Sequence, residues 1–358
     1  MRNRKLLKKL LSVALSAGAL FATAGAAQAG VLGGTVAPVI TAGALPDTPA
    51  AHVDANTADS RFSGVVSVYI QYGAEGYICS GALIGKRQVL SAGHCVDQNG
   101  DGKVVDLNNP DNNVRVVFNS DGDYNAIVKA SKVSINPDYQ GFNNCPDGTT
   151  GCVNDDISII TLSEDAPDSA KIYKISNVPL TEGTHIIMAG YGTAGDGVNG
   201  HYIDPEFNIK RTGENVVDLF DGDDEQGFMG ANEVYYADFD GNGQDTFCDL
   251  AGVCTAQLAN GVESGIGGGD SGGPSFVEMY GELMLVANNT FSGRFTSLGY
   301  AEGSFGTYFG GIIMGGYKDF LYTATGGNIT LVPEPTSVAL LGLGALMLGG
   351  AARRRKQK

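Results

Sequence analysis

Gly267-Gly268-Gly269-Asp270-Ser271-Gly272-Gly273-Pro274 sets one serine hydroxyl in a run of glycines, directly after an acid. Glycines on both sides allow tight turns in which the hydroxyl stands clear and backbone N–H groups converge. Serine is a weak nucleophile until a base takes its proton, so the stretch directs attention upstream. His94 closes the run Val89-Leu90-Ser91-Ala92-Gly93-His94-Cys95, and Asp156 opens Asp156-Ile157-Ser158-Ile159-Ile160-Thr161-Leu162. Of the other three histidines, His52 lies in the N-terminal arm, while His185 and His201 lack the Ala-Gly-His-Cys setting.

The order His, Asp, Ser is the one used by proteases of the chymotrypsin type. The three motifs together, between Gly64 and Phe320, resemble the trypsin-like (chymotrypsin-fold) serine endopeptidase family. Gly190-Tyr191-Gly192 resembles the Gly-aromatic-Gly of that family's second domain. The resemblance implies an all-β fold of two tandem antiparallel six-stranded β-barrels, with the active site at their junction. It implies His94 as base, Asp156 as its orienting acid and Ser271 as nucleophile. It further implies the N–H groups of Gly269 and Ser271 as oxyanion hole, with Asp270 in support. Asp156 is preferred to Asp155 because the family's acid directly precedes an Ile-x-Ile strand; side-chain alternation then turns Asp156 inward and Asp155 outward. Members activated by proteolysis pair a new N-terminus with the acid before the nucleophile, here Asp270. Val31-Leu32-Gly33-Gly34, or a later start near Val53, would supply that terminus. The substrate pocket is read at Gly265, the position six before the nucleophile where Arg/Lys-specific members carry an aspartate, and at Ser264 beside it. The family cysteine expected four residues before the nucleophile is Gly267, so a strict Arg/Lys preference does not follow unless Glu263 reaches the pocket. Other classes remain as alternatives. A non-catalytic or matrix-associated binding protein on the same fold would show a degraded triad, and an esterase of the α/β-hydrolase type would place Ser before Asp before His.

Both ends read as processing signals. Residues 1–29 combine a basic start (Arg2, Arg4, Lys5, Lys8, Lys9), an apolar stretch and Ala27-Gln28-Ala29, the pattern of a secretory signal peptide cut by signal peptidase. Residues 30–62, small and Pro/Ala-rich, read as a propeptide or loosely packed N-terminal arm. The barrels are expected over 63–170 and 171–327, and a tail over 328–358. In that tail Val332-Pro333-Glu334-Pro335 precedes an apolar run from Ser337 to Ala352 and the cluster Arg353-Arg354-Arg355-Lys356. At ~1.5 Å rise per residue the run reaches about 24 Å as a transmembrane helix, marginal for spanning hydrocarbon. The tail resembles the PEP-CTERM sorting signal of Gram-negative bacteria. That likeness implies export, initial membrane tethering, processing by an exosortase, and a place at the cell surface or in the extracellular matrix.

Of 23 Lys+Arg, ten lie in residues 1–29 and 353–358, which leaves 13 against 39 acids. Such a core repels nucleic acid and anionic membrane, so polypeptide substrates are the expected partners. Six cysteines in an exported chain favour disulfides. The family's histidine-loop bridge corresponds to Cys79–Cys95, while proximity suggests Cys145–Cys152 and Cys248–Cys254. Catalysis of this type needs no cofactor, but two acidic loops have the oxygen-ligand spacing of calcium sites. One offers Asp238, Asp240, Asn242, Gln244 and Asp249; the weaker one offers Asp97, Asn99, Asp101 and Lys103. Asp221-Gly222-Asp223-Asp224-Glu225 reads as a charged turn. Between these motifs run short β-rich segments with Gly, Asn and Asp at the turns, and no long segment holds a helical period.

Overall fold

The computed structural model describes residues 40–142, 144 and 153–332. The signal peptide, the Cys145–Cys152 pair and the tail beyond Val332 lie outside the described residues.

The first half is a closed six-stranded barrel. Its strands are β1 (Val65–Tyr72), β2 (Glu75–Gly85), β3 (Gln88–Ser91), β4 (Asn112–Phe118), β5 (Ala126–Ile135) and β6 (Ser158–Leu162), paired in the order β1-β2-β3-β6-β5-β4. β4 pairs with β1 to complete the ring. Period-two alternation explains how each strand serves two cores. Val66, Val68 and Ile70 of β1, with Cys79 and Leu83 of β2 and Ile160 and Leu162 of β6, fill the barrel interior. Val65 of β1, Ile78, Ala82 and Ile84 of β2 and Ile159 of β6 belong to a second cluster, shared with Tyr173, Tyr191, Phe276 and Leu285 of the other half. A one-residue register slip in β1 would therefore exchange the two faces.

The second half contains β7 (Lys174–Ser176), β8 (His185–Gly190), β9 (Ala194–Asp196), β10 (Gly200–Ile203), β11 (Arg211–Val216), β12 (Leu219–Asp223), β13 (Met229–Asp238), β14 (Pro274–Met279), β15 (Glu282–Gly293), β16 (Tyr308–Ile313) and β17 (Leu331–Val332). β9 and β10 form a separate hairpin; the other nine make one sheet, with the path β11-β8-β14-β15-β16-β13-β12 and β7 and β17 attached beside β15. Its interior holds Ile186, Met188, Tyr235, Val286, Phe309 and Ile313. The all-β, two-part architecture holds, but strand pairing among the described residues does not close this second sheet as it closes the first. The segment 263–265 runs along β11, with Glu263 bridging Glu214. Across the gap Asn215 Nδ2 donates to Asp238 O and to Ser264 O, each at 2.9 Å. A side-chain amide thus stands where ladder bonds would close the ring.

Two short helices interrupt the strands, α1 (Thr246–Ala251) and α2 (Lys318–Thr325). Asp245 caps α1 by accepting from Cys248 N–H at 2.8 Å, and the Cys248–Cys254 disulfide follows directly. Neither helix is long enough to show a 3.6-residue period in the sequence. No helix among the described residues is long and apolar enough to cross a membrane.

From Ile40 onward the N-terminal arm is not loosely packed. Ile40, Thr41 and Ala42 are fully buried, and Thr41 and Ala42 N–H donate to Gly265 O and Gly195 O at 3.0 Å. Lys210, also fully buried, pairs with Asp54 at 3.0 Å and donates to Phe62 O. Arg211 Nε donates to Pro49 O. Each contact spends a buried cation on the arm, whose short, small residues fit close to the second sheet.

Candidate active site

His94 and Asp156 sit on neighbouring stretches that β3 and β6 bring together. Both oxygens of the fully buried Asp156 are spent on the histidine: Oδ1 accepts His94 N–H and Oδ2 faces Nδ1, each at 2.6 Å. With Nδ1–H donating to the carboxylate, Nε2 carries the free lone pair that a general base needs. The Phe142 ring packs 5.0 Å from the imidazole. Ser158 Oγ donates to Ala92 O, and Asn288 Nδ2 reaches Ser91 O and Asp156 O, so both loops are pinned from behind.

Ser271 occupies a turn just before β14. Cys95, bridged to Cys79, puts its sulfur 4.0 Å from His94 Nε2 and 3.7 Å from Ser271 O, so histidine and serine flank one disulfide. A bridged sulfur carries no proton, so these are packing contacts. No hydrogen bond joins Ser271 Oγ to His94 Nε2 in this resting arrangement; such bonds commonly tighten only when substrate is present. The N–H groups of Gly269 and Ser271 donate to no acceptor among the described residues, whereas those of Asp270, Gly272 and Gly273 are all engaged. Two unspent donors beside the hydroxyl are what a developing oxyanion requires.

Ser80, which follows Cys79, holds this turn, and the sequence reading missed it. Its N–H donates to Ser271 O at 2.8 Å, its Oγ donates to Gly269 O at 2.8 Å, and Oγ accepts Tyr191 N–H at 2.9 Å. A Cβ on Gly272 would lie 2.2 Å from Ser91 Oγ, so only glycine lets the turn press against the first barrel.

Asp270 is fully buried beneath the turn and points away from Ser271. Its carboxylate accepts N–H bonds from Gly192 (3.2 Å), Gly267 (3.3 Å) and Ile40. Burial pushes it up to about 7, against the downward pull of those N–H groups and Arg211. A Cβ on Gly190 would sit 1.9 Å from Asp270 Oδ1. Gly190-Tyr191-Gly192 is thereby explained: the first glycine makes room for the acid, and the last supplies a donor. Among the described residues of the arm it is Ile40, not Val53, that meets Asp270, and Val31 lies outside the described residues. Val53 is half-exposed and bridges Arg211.

Asp155 does not turn outward to solvent. It is buried at φ +63°, accepts Asn136 Nδ2 at 2.8 Å and donates its N–H to the Tyr317 hydroxyl. Burial, with the nearby carboxylates of Glu225, Glu233, Asp224 and Asp138, pushes it up to about 9. Its carboxyl lies apart from His94, but strand alternation is not what separates it from Asp156: both acids precede β6, both are buried, and the left-handed turn at Asp155 sends the two carboxylates to different partners.

Glu263 does not serve a pocket either. It is buried, with Oε1 accepting Asp240 N–H and Oε2 accepting Leu258 N–H, both at 2.7 Å. Gly265 faces the Phe239 ring, where an added Cβ would meet Cδ1 at 3.2 Å, and the buried Ser264 lies against Gly213 and Ile40. Of the two acidic loops, the one at Asp97 satisfies itself. Asp97 accepts N–H bonds from Asn99, Asp101 and Gly102, and Lys103 pairs with Asp101.

Residues 54–208 match the trypsin family model. That stretch is similar to the trypsin family. The match includes His94 and Asp156 and ends before the Ser271 stretch. Residues 331–356 match the PEP-CTERM protein-sorting motif. No curated protein matches the chain.

Proposed function

We propose that this chain is an exported serine endopeptidase that works through a His94–Asp156–Ser271 triad and an acyl-enzyme intermediate. His94 Nε2 takes the Ser271 proton as Oγ attacks the scissile carbonyl, and Asp156 holds the imidazolium that forms. The carbonyl oxygen, now negative, is received by the N–H groups of Gly269 and Ser271. His94 then gives its proton to the leaving amine, and water repeats the sequence to release the acid. The observation that carries this reading is the doubly bonded Asp156–His94 pair beside a serine turn with two unspent N–H donors.

Activation is assigned to a cut that frees Ile40. Its amide already donates to Asp270, so a new ammonium there would pair with a carboxylate that otherwise lies buried with only neutral donors in contact. The base of the pocket, Gly265 against Phe239, lacks a carboxylate, which favours apolar residues over Lys or Arg before the cut. The PEP-CTERM tail supports export, surface sorting in a Gram-negative cell and processing by an exosortase.

One experiment tests the catalytic reading. Processed protein is treated with a fluorophosphonate probe and with casein, beside the Ser271→Ala and His94→Ala variants. Labelling at Ser271 with casein cleavage, both lost in the variants, is expected. A folded, Ile40-started protein that takes no label would instead favour a binding protein on the same fold.

A further inference from the structure

The loop after β13 gathers more buried negative charge than the peptidase chemistry uses. The ligand set expected from loop spacing does not assemble. Asn242 Oδ1 accepts from Asn260 Nδ2 at 2.9 Å, Gly241 and Gln244 bond each other through their backbones, and Asp249 lies exposed on α1. Instead, carboxylate oxygens of Asp238, Asp240 and Asp245 lie within 4.8 Å of one another. Asp238 and Asp240 are only 2% and 4% exposed.

Two further acids back this group. Asp218 Oδ2 accepts Asp238 N–H at 3.0 Å, and Glu263 Oε1 accepts Asp240 N–H. Among the described residues no Lys or Arg pairs with any of the five. The charges acting on Asp240 are those of Asp238, Glu263, Asp245 and Asp218, all of one sign. Asp240 Oδ1 is moreover buried without a hydrogen-bond partner. A buried carboxylate oxygen with neither donor nor counter-charge is costly, and native structures leave few of them.

We propose that Asp238, Asp240 and Asp245 hold a divalent cation of the calcium class, with Asp240 Oδ1 as a direct ligand. Hard, all-oxygen donors on a turn suit calcium, whereas magnesium demands a tighter octahedron and sheds water reluctantly. Asp245 can ligate while it accepts from Cys248 N–H and Gln257 Nε2, because each carboxylate oxygen offers two lone pairs. The cation would brace the pocket wall. Asp238 O and Ser264 O share the Asn215 amide, Glu263 holds Asp240 N–H, and Gly265 rests on the Phe239 ring between the two aspartates. The site is independent of whether the triad is active.

The test uses full-length Ser271→Ala protein, which cannot digest itself, stripped with EGTA and titrated with CaCl2 or MgCl2. Bound metal after desalting and melting temperature are read together. About one retained calcium and a melting temperature several degrees higher at saturating calcium are expected, since a ligand held only by the folded state stabilises it. Asp240→Asn should weaken calcium binding at least tenfold and shrink the thermal shift at a given calcium concentration. It removes a charge from a repelling cluster, so the metal-free variant should melt no lower than its parent. Asp101→Asn, in the self-satisfied loop, should leave both readouts as in the parent. The proposal is overturned if the parent retains no calcium and shows no shift, if Asp240→Asn binds as the parent does, or if magnesium shifts melting equally.

Discussion

Ser80→Ala isolates the contact that ties the two halves of the chain at the active site. Ser80 is fully buried, and its Oγ serves two backbone groups, donating to Gly269 O and accepting Tyr191 N–H. Alanine leaves both groups without partners where water does not reach. Each orphaned buried group costs ~1–3 kcal/mol, so the pair amounts to roughly 2–6 kcal/mol. At ~2–4 °C per kcal/mol for a domain of this size, melting should fall by roughly 4–24 °C. Activity should fall as well, because Gly269 O is one of the anchors that aim the oxyanion donors. A whole donor is worth ~10²–10³ in rate, and an unpinned one should cost about tenfold or more. Stability is read by urea unfolding in the Ser271→Ala background, and rate by fluorophosphonate labelling of active protein. Ser131→Ala, which removes a hydroxyl of an exposed residue at the β5–β6 bulge, is the control and should change stability by less than ~0.5 kcal/mol. A Ser80→Ala protein that unfolds with the control and labels at the parental rate would refute this account of the turn.

Asp156→Asn should keep the fold and lower kcat by about 10⁴, because the amide favours the wrong histidine tautomer; steady-state peptide hydrolysis reads it. Asp155→Asn should retain most activity in the same assay. Its carboxyl is pushed up to about 9 and so is mostly protonated at neutral pH, Asn tolerates its positive φ, and it has no contact with His94. The uncut, metal-free Ser271→Ala chain should lose stability as pH rises. Asp270 moves from 3.8 to about 7 on folding, so its contribution is fully present below pH ~4 and lost as pH climbs through 7. At ~1.4 kcal/mol per pKa unit the window is worth on the order of 4 kcal/mol. Urea unfolding at pH 4 to 8 should show this slope, and Asp270→Asn should flatten its share. A cut at Ile40 should reverse the sign, since an ammonium there favours the ionised acid.

The first barrel was legible because its strands alternate plainly and their turns carry Gly, Asn and Asp. β6 starts two residues into the run that Asp156 opens and ends with it at Leu162. β14 was not legible: it starts at Pro274 directly after the nucleophile turn, where proline and glycine mask the strand pattern. His94, Asp156 and Ser271 could be read because rare residues stand in distinctive settings. Ser80 could not, since one serine in a strand looks like any other, and its role arises from contacts 111 and 189 residues away. Ile40 offered a faint signal, an aliphatic residue three before Gly43, but Val31-Leu32-Gly33-Gly34 offered a stronger one.

What the sequence separates, Asp270 joins. Its carboxylate touches Gly192 of the β8 turn, Gly267 of its own loop and Ile40 of the arm, while its backbone carries the nucleophile next door. Thr41 then bonds Gly265 O, which places the arm on the segment proposed as substrate wall, with the acidic cluster behind it. A change at the arm therefore reaches both the oxyanion turn and the substrate wall through two hydrogen bonds. Ile40→Gly, which deletes a fully buried side chain beside Ser264 and Gly213, should accordingly depress catalysis more than a cavity of that size remote from the turn. Comparing it with Ile313→Ala, in the same core cluster but away from the arm, reads the difference: equal kcat losses at matched stability would break the proposed link between arm and site.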